Sequence, residues 1–224
     1  MVEQRGVGSD TLWDRVATWM GAAFAVLAFV AFLLTGRPEE AASGEDVVEF
    51  FADKQTAIEW QAVLFGLAAL AFLWFAGRLA ALLRGAAVDP GDRIPTITVA
   101  GAASSTALFL VGVGAFAALA QHADEAGATR ALFDLGDMSF ALSTFTAAVF
   151  LEGAAVGIMR TRILPRWMGL AGAVLVTALL IAGSWRMFDA SDAAAAVGSI
   201  VFVAFLVWVL AASVLLSMRE RPAR

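Results

Sequence analysis

Residues 193–216 read AAAAVGSIVFVAFLVWVLAASVLL, an unbroken apolar and small-residue run without a single charge. At 1.5 Å per residue a helix of that length covers about 36 Å, enough to cross the ~30 Å hydrocarbon core of a bilayer. Five runs of similar character precede it, at 17–34, 58–83, 97–119, 135–159 and 167–185. Backbone in lipid must satisfy its own hydrogen bonds, and these runs lack the ~10-residue alternation of barrel strands. The expectation is an all-α polytopic membrane protein, a bundle of six transmembrane helices occupying 17–217. A cytoplasmic N-terminal segment at 1–16 and a cytoplasmic tail at 218–224 flank it.

The whole chain agrees with its last run. Of 224 residues, 61% are apolar and only 16% charged, against about 25% charged in a typical soluble domain. The mean hydropathy is +0.81. A water-soluble domain of this length could not bury so much apolar side chain. The absence of Cys excludes a disulfide scaffold, and a net charge of −5 argues against a nucleic-acid partner. The segment before the first run carries Glu3, Asp10 and Asp14 and lacks a compact basic start. That run therefore reads as a retained anchor and not as a cleaved signal peptide.

Basic residues set the direction. With six spans both termini share one side, which holds Arg5, Arg15, Arg78, Arg84, Arg93, Arg160, Arg162, Arg166, Arg219, Arg221 and Arg224. The other side holds Arg37, Lys54, Arg130 and Arg186, so 11 of the 15 basic residues mark the first side as cytoplasmic. Trp13, Trp19 and Trp167 fall near inner span ends, and Trp60 and Trp185 near outer ones, where an amphipathic ring prefers the headgroup layer. Trp74 and Trp208 lie deeper and read as packing residues.

The first outer connection contains its own pattern. Ser43 and Asp46 form a helix-start signal, after which Val47, Val48, Phe50 and Phe51 line one face against Glu45, Glu49 and Asp53. This predicts a short outer amphipathic helix at 45–54, lying on the membrane surface or capping the bundle. An ordinary loop helix without lipid contact is the plainer reading.

Small residues mark where helices approach. Gly153 and Gly157 continue outward into Ser139, Ser143 and Thr146, and Gly101, Ser105, Gly112 and Ala115 form a matching face on the third span. These two spans are the candidates for the bundle centre. Their hydroxyls either line a solute path or bond helix carbonyls.

Charges inside the hydrocarbon are the sharpest exceptions. Glu152 precedes Arg160 by eight positions, about 12 Å of helix, and Arg78 precedes Arg84 by six, about 9 Å. Opposite charges at similar depth suggest that Glu152 and Arg78 face each other or share an inner pocket. The plainer accounts are snorkelling of Arg78 to the headgroups and a neutral, hydrogen-bonded Glu152. A second candidate is an outward polar mouth formed by Glu59, Gln61, His122, Asp137 and Arg186, with Gln121, Asp134 and Trp185 nearby. Polar residues also belong at span ends for solvation alone.

Enzyme readings find little support. The sole His, His122, beside Asp124 and Glu125, matches no metal-loop spacing and cannot supply the paired ligands of a membrane di-haem. Neither a His-Glu-x-x-His nor a Gly-x-Ser-x-Gly motif occurs, and no phosphate loop. No metal and no cofactor is expected.

The stretches ALFDLGDMSFAL at 131–142, TRILPRWMG at 161–169 and VVEFFAD at 47–53 together resemble a family of uncharacterised actinobacterial six-helix integral membrane proteins. In that family a span ends in Arg and a Leu-Pro-Arg-Trp-x-Gly turn opens the next. The resemblance implies a helical inner-membrane protein of a bacterium with a GC-rich genome, and it transfers no functional residue. In the turn itself Pro165 blocks continuation of the fourth helix, while Arg160, Arg162 and Arg166 meet anionic headgroups.

The expected function is that of a non-enzymatic structural or accessory membrane component. Its partners would be the lipid bilayer and a second copy or another membrane protein. The alternative is a small-solute or ion-coupled transporter using Glu152 and Arg78.

Overall fold

The computed structural model describes residues 12–36, 44–87, 89, 91–121, 126–189 and 191–219. Among these residues every element is helical: α1 Leu12–Leu34, α2 Gly44–Asp53, α3 Gln55–Ala86, α4 Ile94–Gln121, α5 Ala126–Thr161, α6 Arg166–Phe188 and α7 Asp192–Arg219. Six of them, all but α2, are long and apolar enough to cross a membrane. The all-α polytopic bundle is therefore as the apolar runs require. Five of the six helices overshoot their runs at both ends, and α1 only at its start, because a helix continues past the apolar stretch into polar sequence.

The six long helices form a closed ring. α1 packs on α3, α3 on α4, α4 on α5, α5 on α6, α6 on α7, and α7 returns to α1. Small residues permit the approach. In α1 the buried Ala17, Gly21, Phe24, Ala28 and Ala31 recur every three or four positions and face inward. A Cβ at Gly101 would come within 2.8 Å of the Phe150 Cα, so α4 and α5 touch backbone to backbone there. Gly153 likewise meets Thr98, and Gly157 meets Leu83 of α3. The two small-residue faces do find each other. Their helices differ in position, however: α5 is the most buried of the six spans and α4 the least. Only α5 is central, since α4 gives one face to α5 and α3 and leaves the other outside.

Aromatic rings fill the ring's interior. Phe72 lies 4.8 Å from Phe24, 4.9 Å from Phe150 and 5.9 Å from Phe205, centroid to centroid, joining α1, α3, α5 and α7. Trp208 is buried and donates its indole N–H to the Met168 carbonyl at 3.0 Å, tying α7 to α6. Trp74 differs from Trp208. It is exposed and stands 6.3 Å from Trp13, so it is no packing residue.

The outer helix α2 caps the bundle. Val47 and Phe51 are fully buried against Phe116, Leu119 and Phe133 of α4 and α5. The chain passes from α2 into α3 through Lys54 alone, and backbone bonds Lys54 N to Phe50 O and Ile58 N to Lys54 O bridge the break. Ser43, the expected start signal, lies outside the described residues.

The α5–α6 turn stops differently from the sequence reading. α5 ends because Arg162 takes a left-handed backbone (φ 58°), with its N–H on the Ile158 carbonyl at 2.8 Å. Pro165 comes later, immediately before α6, where a fixed φ suits helix entry.

Candidate functional site: two ion pairs and one outward carboxylate

The hydroxyls of α4 and α5 bond carbonyls. Ser139, Ser143 and Thr146 donate to Leu135, Phe140 and Ser143 of their own helix, and Ser105 crosses to the Ser143 carbonyl at 3.2 Å. A cavity of about 90 Å³ lies in the ring, walled mainly by Phe24, Phe65, Phe72, Phe109, Phe202 and Phe205. Ser105, Thr106, Ser143 and Thr144 contribute its polar edge. Neither Glu152 nor Arg78 lines it.

Glu152 and Arg78 do not meet. Arg78 Nη1 donates to Asp14 Oδ1 at 2.9 Å, a bond between α3 and the first turn of α1. Glu152 is exposed on the outward side of α5 and makes no ion pair with any described residue. The physical reason is helix rotation. Gly153 and Gly157 must face α4 and α3 to permit close packing, which turns the neighbouring Glu152 away from the interior. Reasoning from the sequence missed Asp14 because the apolar run starts at 17, whereas the helix starts at Leu12 and carries the carboxylate into its first turn.

Gly157 of α5 lies against Leu83 of α3. Glu152 and Arg78 each precede that contact by five residues, so the two charges stand at one level of the bundle without meeting.

At the opposite end the predicted polar mouth resolves into separate parts. Asp137 and Arg186 come together as a buried pair linking α5 to α6: Arg186 Nε and Nη2 both donate to Asp137 Oδ2, at 2.8 and 2.7 Å. Their side chains are 6% and 7% exposed, low enough that solvent does little of the stabilising. Arg186 Nη1 also reaches the Ser191 carbonyl at 3.4 Å, at the turn into α7. Glu59 and Gln61 do not join them. Glu59 accepts from Gln55 on the α3 surface, and Gln61 donates to the Ala31 carbonyl at 2.9 Å. Ala31 is in the last turn of α1, where carbonyls lack helical partners, so Gln61 is a cap. His122 lies outside the described residues.

Together these groups form two structural clamps, one at each end, and leave one carboxylate outside. Among the described residues no cluster of His, Asp and Glu has the form of a metal site. Compared with known proteins, the chain matches no family model, no curated protein and no solved structure.

Proposed function

We propose that this integral membrane protein is a non-enzymatic accessory component of the cytoplasmic membrane, with both termini inside, that joins a membrane partner through the outward face of α5. One observation carries the proposal. Glu152 is exposed in the inner half of a transmembrane helix and makes no ion pair with any described residue. Such a group facing lipid costs about 2.5–3.5 kcal/mol on insertion scales and is satisfied by a neighbouring helix. Val149 and Val156, three and four residues away, lie on the same outward side. The 11-to-4 partition of basic residues supports the orientation. The likeness to actinobacterial six-helix proteins supports the choice of membrane. The transport reading draws less support, because its two charges belong to different surfaces and neither lines the central cavity.

The natural absence of Cys makes the test direct. Single-Cys variants at Val149 and Val156 are oxidised in native membranes, alongside a control at Val174 on α6, which is 70% exposed. The expected result is a discrete cross-linked species from positions 149 and 156, absent from 174 and lost with Glu152→Leu. Its mass distinguishes a second copy from a different protein. Indiscriminate or absent cross-linking would remove the docking face.

A further inference from the structure

We propose that the phenylalanine-walled cavity at the centre of the ring binds one small neutral molecule carrying a single hydroxyl or carbonyl group, of the size of a three-carbon alcohol. All six spans contribute to its wall, from Phe24 of α1 to Phe205 of α7, so an occupant touches every long helix of the bundle. The site is separate from the α5 docking face, since Glu152 does not line it. Size and charge narrow the occupant first. About 90 Å³ is room for about four non-hydrogen atoms, by comparison with the ~150 Å³ cavity that accommodates the six carbons of benzene. No described residue lining the cavity carries a charge, and a charged solute would lose its hydration shell there without replacement. The wall is largely phenyl: Phe109 lies 5.0 Å from Phe65 and 6.2 Å from Phe202, centroid to centroid.

The polar edge sets the functional group. Ser105, Ser143 and Thr144 have committed their hydroxyl hydrogens to the carbonyls of Ser143, Phe140 and Ala141. Thr106 differs. It lines the cavity and is only 8% exposed, yet its hydroxyl hydrogen-bonds to no described residue. Thr98, about two turns away on α4, shows the usual alternative and donates to the Ile94 carbonyl four residues back at 2.9 Å. A buried hydroxyl without a partner is costly, and a ligand oxygen that accepts from Thr106 satisfies it. Where that oxygen belongs to an alcohol, its hydrogen meets the lone pairs that Ser105 and Thr144 retain. Water is the poorer occupant. About three waters at ~30 Å³ each would fill the space, and each needs two to four polar partners. They would share one uncommitted donor among phenyl rings.

The experiment titrates the full chain in lipid nanodiscs with 2-fluoroethanol, a probe of about the cavity's size with one hydroxyl, and reads fluorine-19 saturation transfer. The controls are 1-fluoropropane, of equal size without the hydroxyl, and empty nanodiscs. Wild type should give one saturable bound resonance that empty nanodiscs lack. It should hold 2-fluoroethanol about fivefold more tightly than 1-fluoropropane, as one added hydrogen bond requires. Thr106→Val keeps the shape and removes the hydroxyl, so it should erase that difference, whereas Thr106→Ser should keep it. Thr106→Val should also unfold no earlier than wild type, because the lost hydroxyl bonds no described residue. Phe202→Leu removes one ring beside the occupant and should displace the bound resonance. A signal that grows without saturation, or equally in empty nanodiscs, would overturn the proposal by showing simple partition into lipid. An unchanged preference or an earlier unfolding in Thr106→Val would overturn it too, as would a bound resonance that Phe202→Leu leaves in place.

Discussion

The Asp137–Arg186 pair offers the most decisive test of what holds this bundle together. Two N–H donors converge on a single carboxylate oxygen at 2.8 and 2.7 Å, between side chains that are more than nine-tenths buried. At 2.8 Å and an effective dielectric near 20, the Coulomb attraction is about 6 kcal/mol. Withdrawing two ions from water costs several kcal/mol each, so the intact pair contributes a net value near zero. Breaking it is another matter. Asp137→Leu strands a buried guanidinium and should cost about 3–5 kcal/mol, and Arg186→Met strands a carboxylate at similar cost. The double variant Asp137→Leu with Arg186→Met removes both charges and should return to within about 1–2 kcal/mol of wild type. Reversible unfolding in mixed micelles, titrated with sodium dodecyl sulfate, gives the four free energies of the cycle. Additive losses in the double variant would refute the reasoning, because they would show that the two side chains act through separate packing. Losses below about 1 kcal/mol in both single variants would refute it too, by showing that water reaches the pair.

Three glycine-related positions test the backbone geometry by the same unfolding assay. Gly101→Ala should lose about 1–3 kcal/mol, because its Cβ would press on the Phe150 backbone, which no side-chain rotation can relieve; wild-type stability would mean that α4 and α5 are further apart. Gly198→Ala should gain up to about 1 kcal/mol, since the added methyl meets nothing within 4 Å and alanine is the better helix former. Arg162→Gly should gain about 1 kcal/mol by relieving a left-handed backbone in a residue with a Cβ; a loss would mean that the Arg162 side chain holds the turn.

The fold was legible because its signal is thermodynamic and local. Each span is an apolar run longer than a buried soluble helix needs, and α2 shows its buried Val47 and Phe51 opposite Glu45 and Glu49. Rotation about each helix axis was far less legible. In water an amphipathic stripe marks the inward face, but a span surrounded by lipid is apolar on all sides. Phe205, buried at the centre, and Val207, 59% exposed, look alike in the sequence. Only the close-packing glycines orient a span, and Gly153 and Gly157 were the clue that turned Glu152 outward. The pairing of Asp137 with Arg186 was half legible, since both ends fell at one level. Ser213 was invisible. It accepts from the Ala22 N–H at 3.1 Å and donates to the Thr18 carbonyl at 2.6 Å, a pattern that depends wholly on where α7 meets α1.

The four charged side chains Arg78, Asp137, Arg186 and Glu152 are settled in different ways. Arg78 pairs with Asp14, which joins α3 to the first turn of α1. Asp137 and Arg186 are enclosed by protein, and each is the only affordable environment for the other. Glu152 faces outward and makes no ion pair with any described residue. A charge that only destabilised the bundle could be replaced by leucine with a gain in stability, and Val149 beside it shows that the surface accepts apolar residues. Stability of the isolated bundle therefore gives no reason for a carboxylate at this position. On the proposed reading the carboxylate answers to what the outward face of α5 meets: a cationic or hydrogen-bonding group on a neighbouring helix at the same depth is an environment in which it becomes favourable.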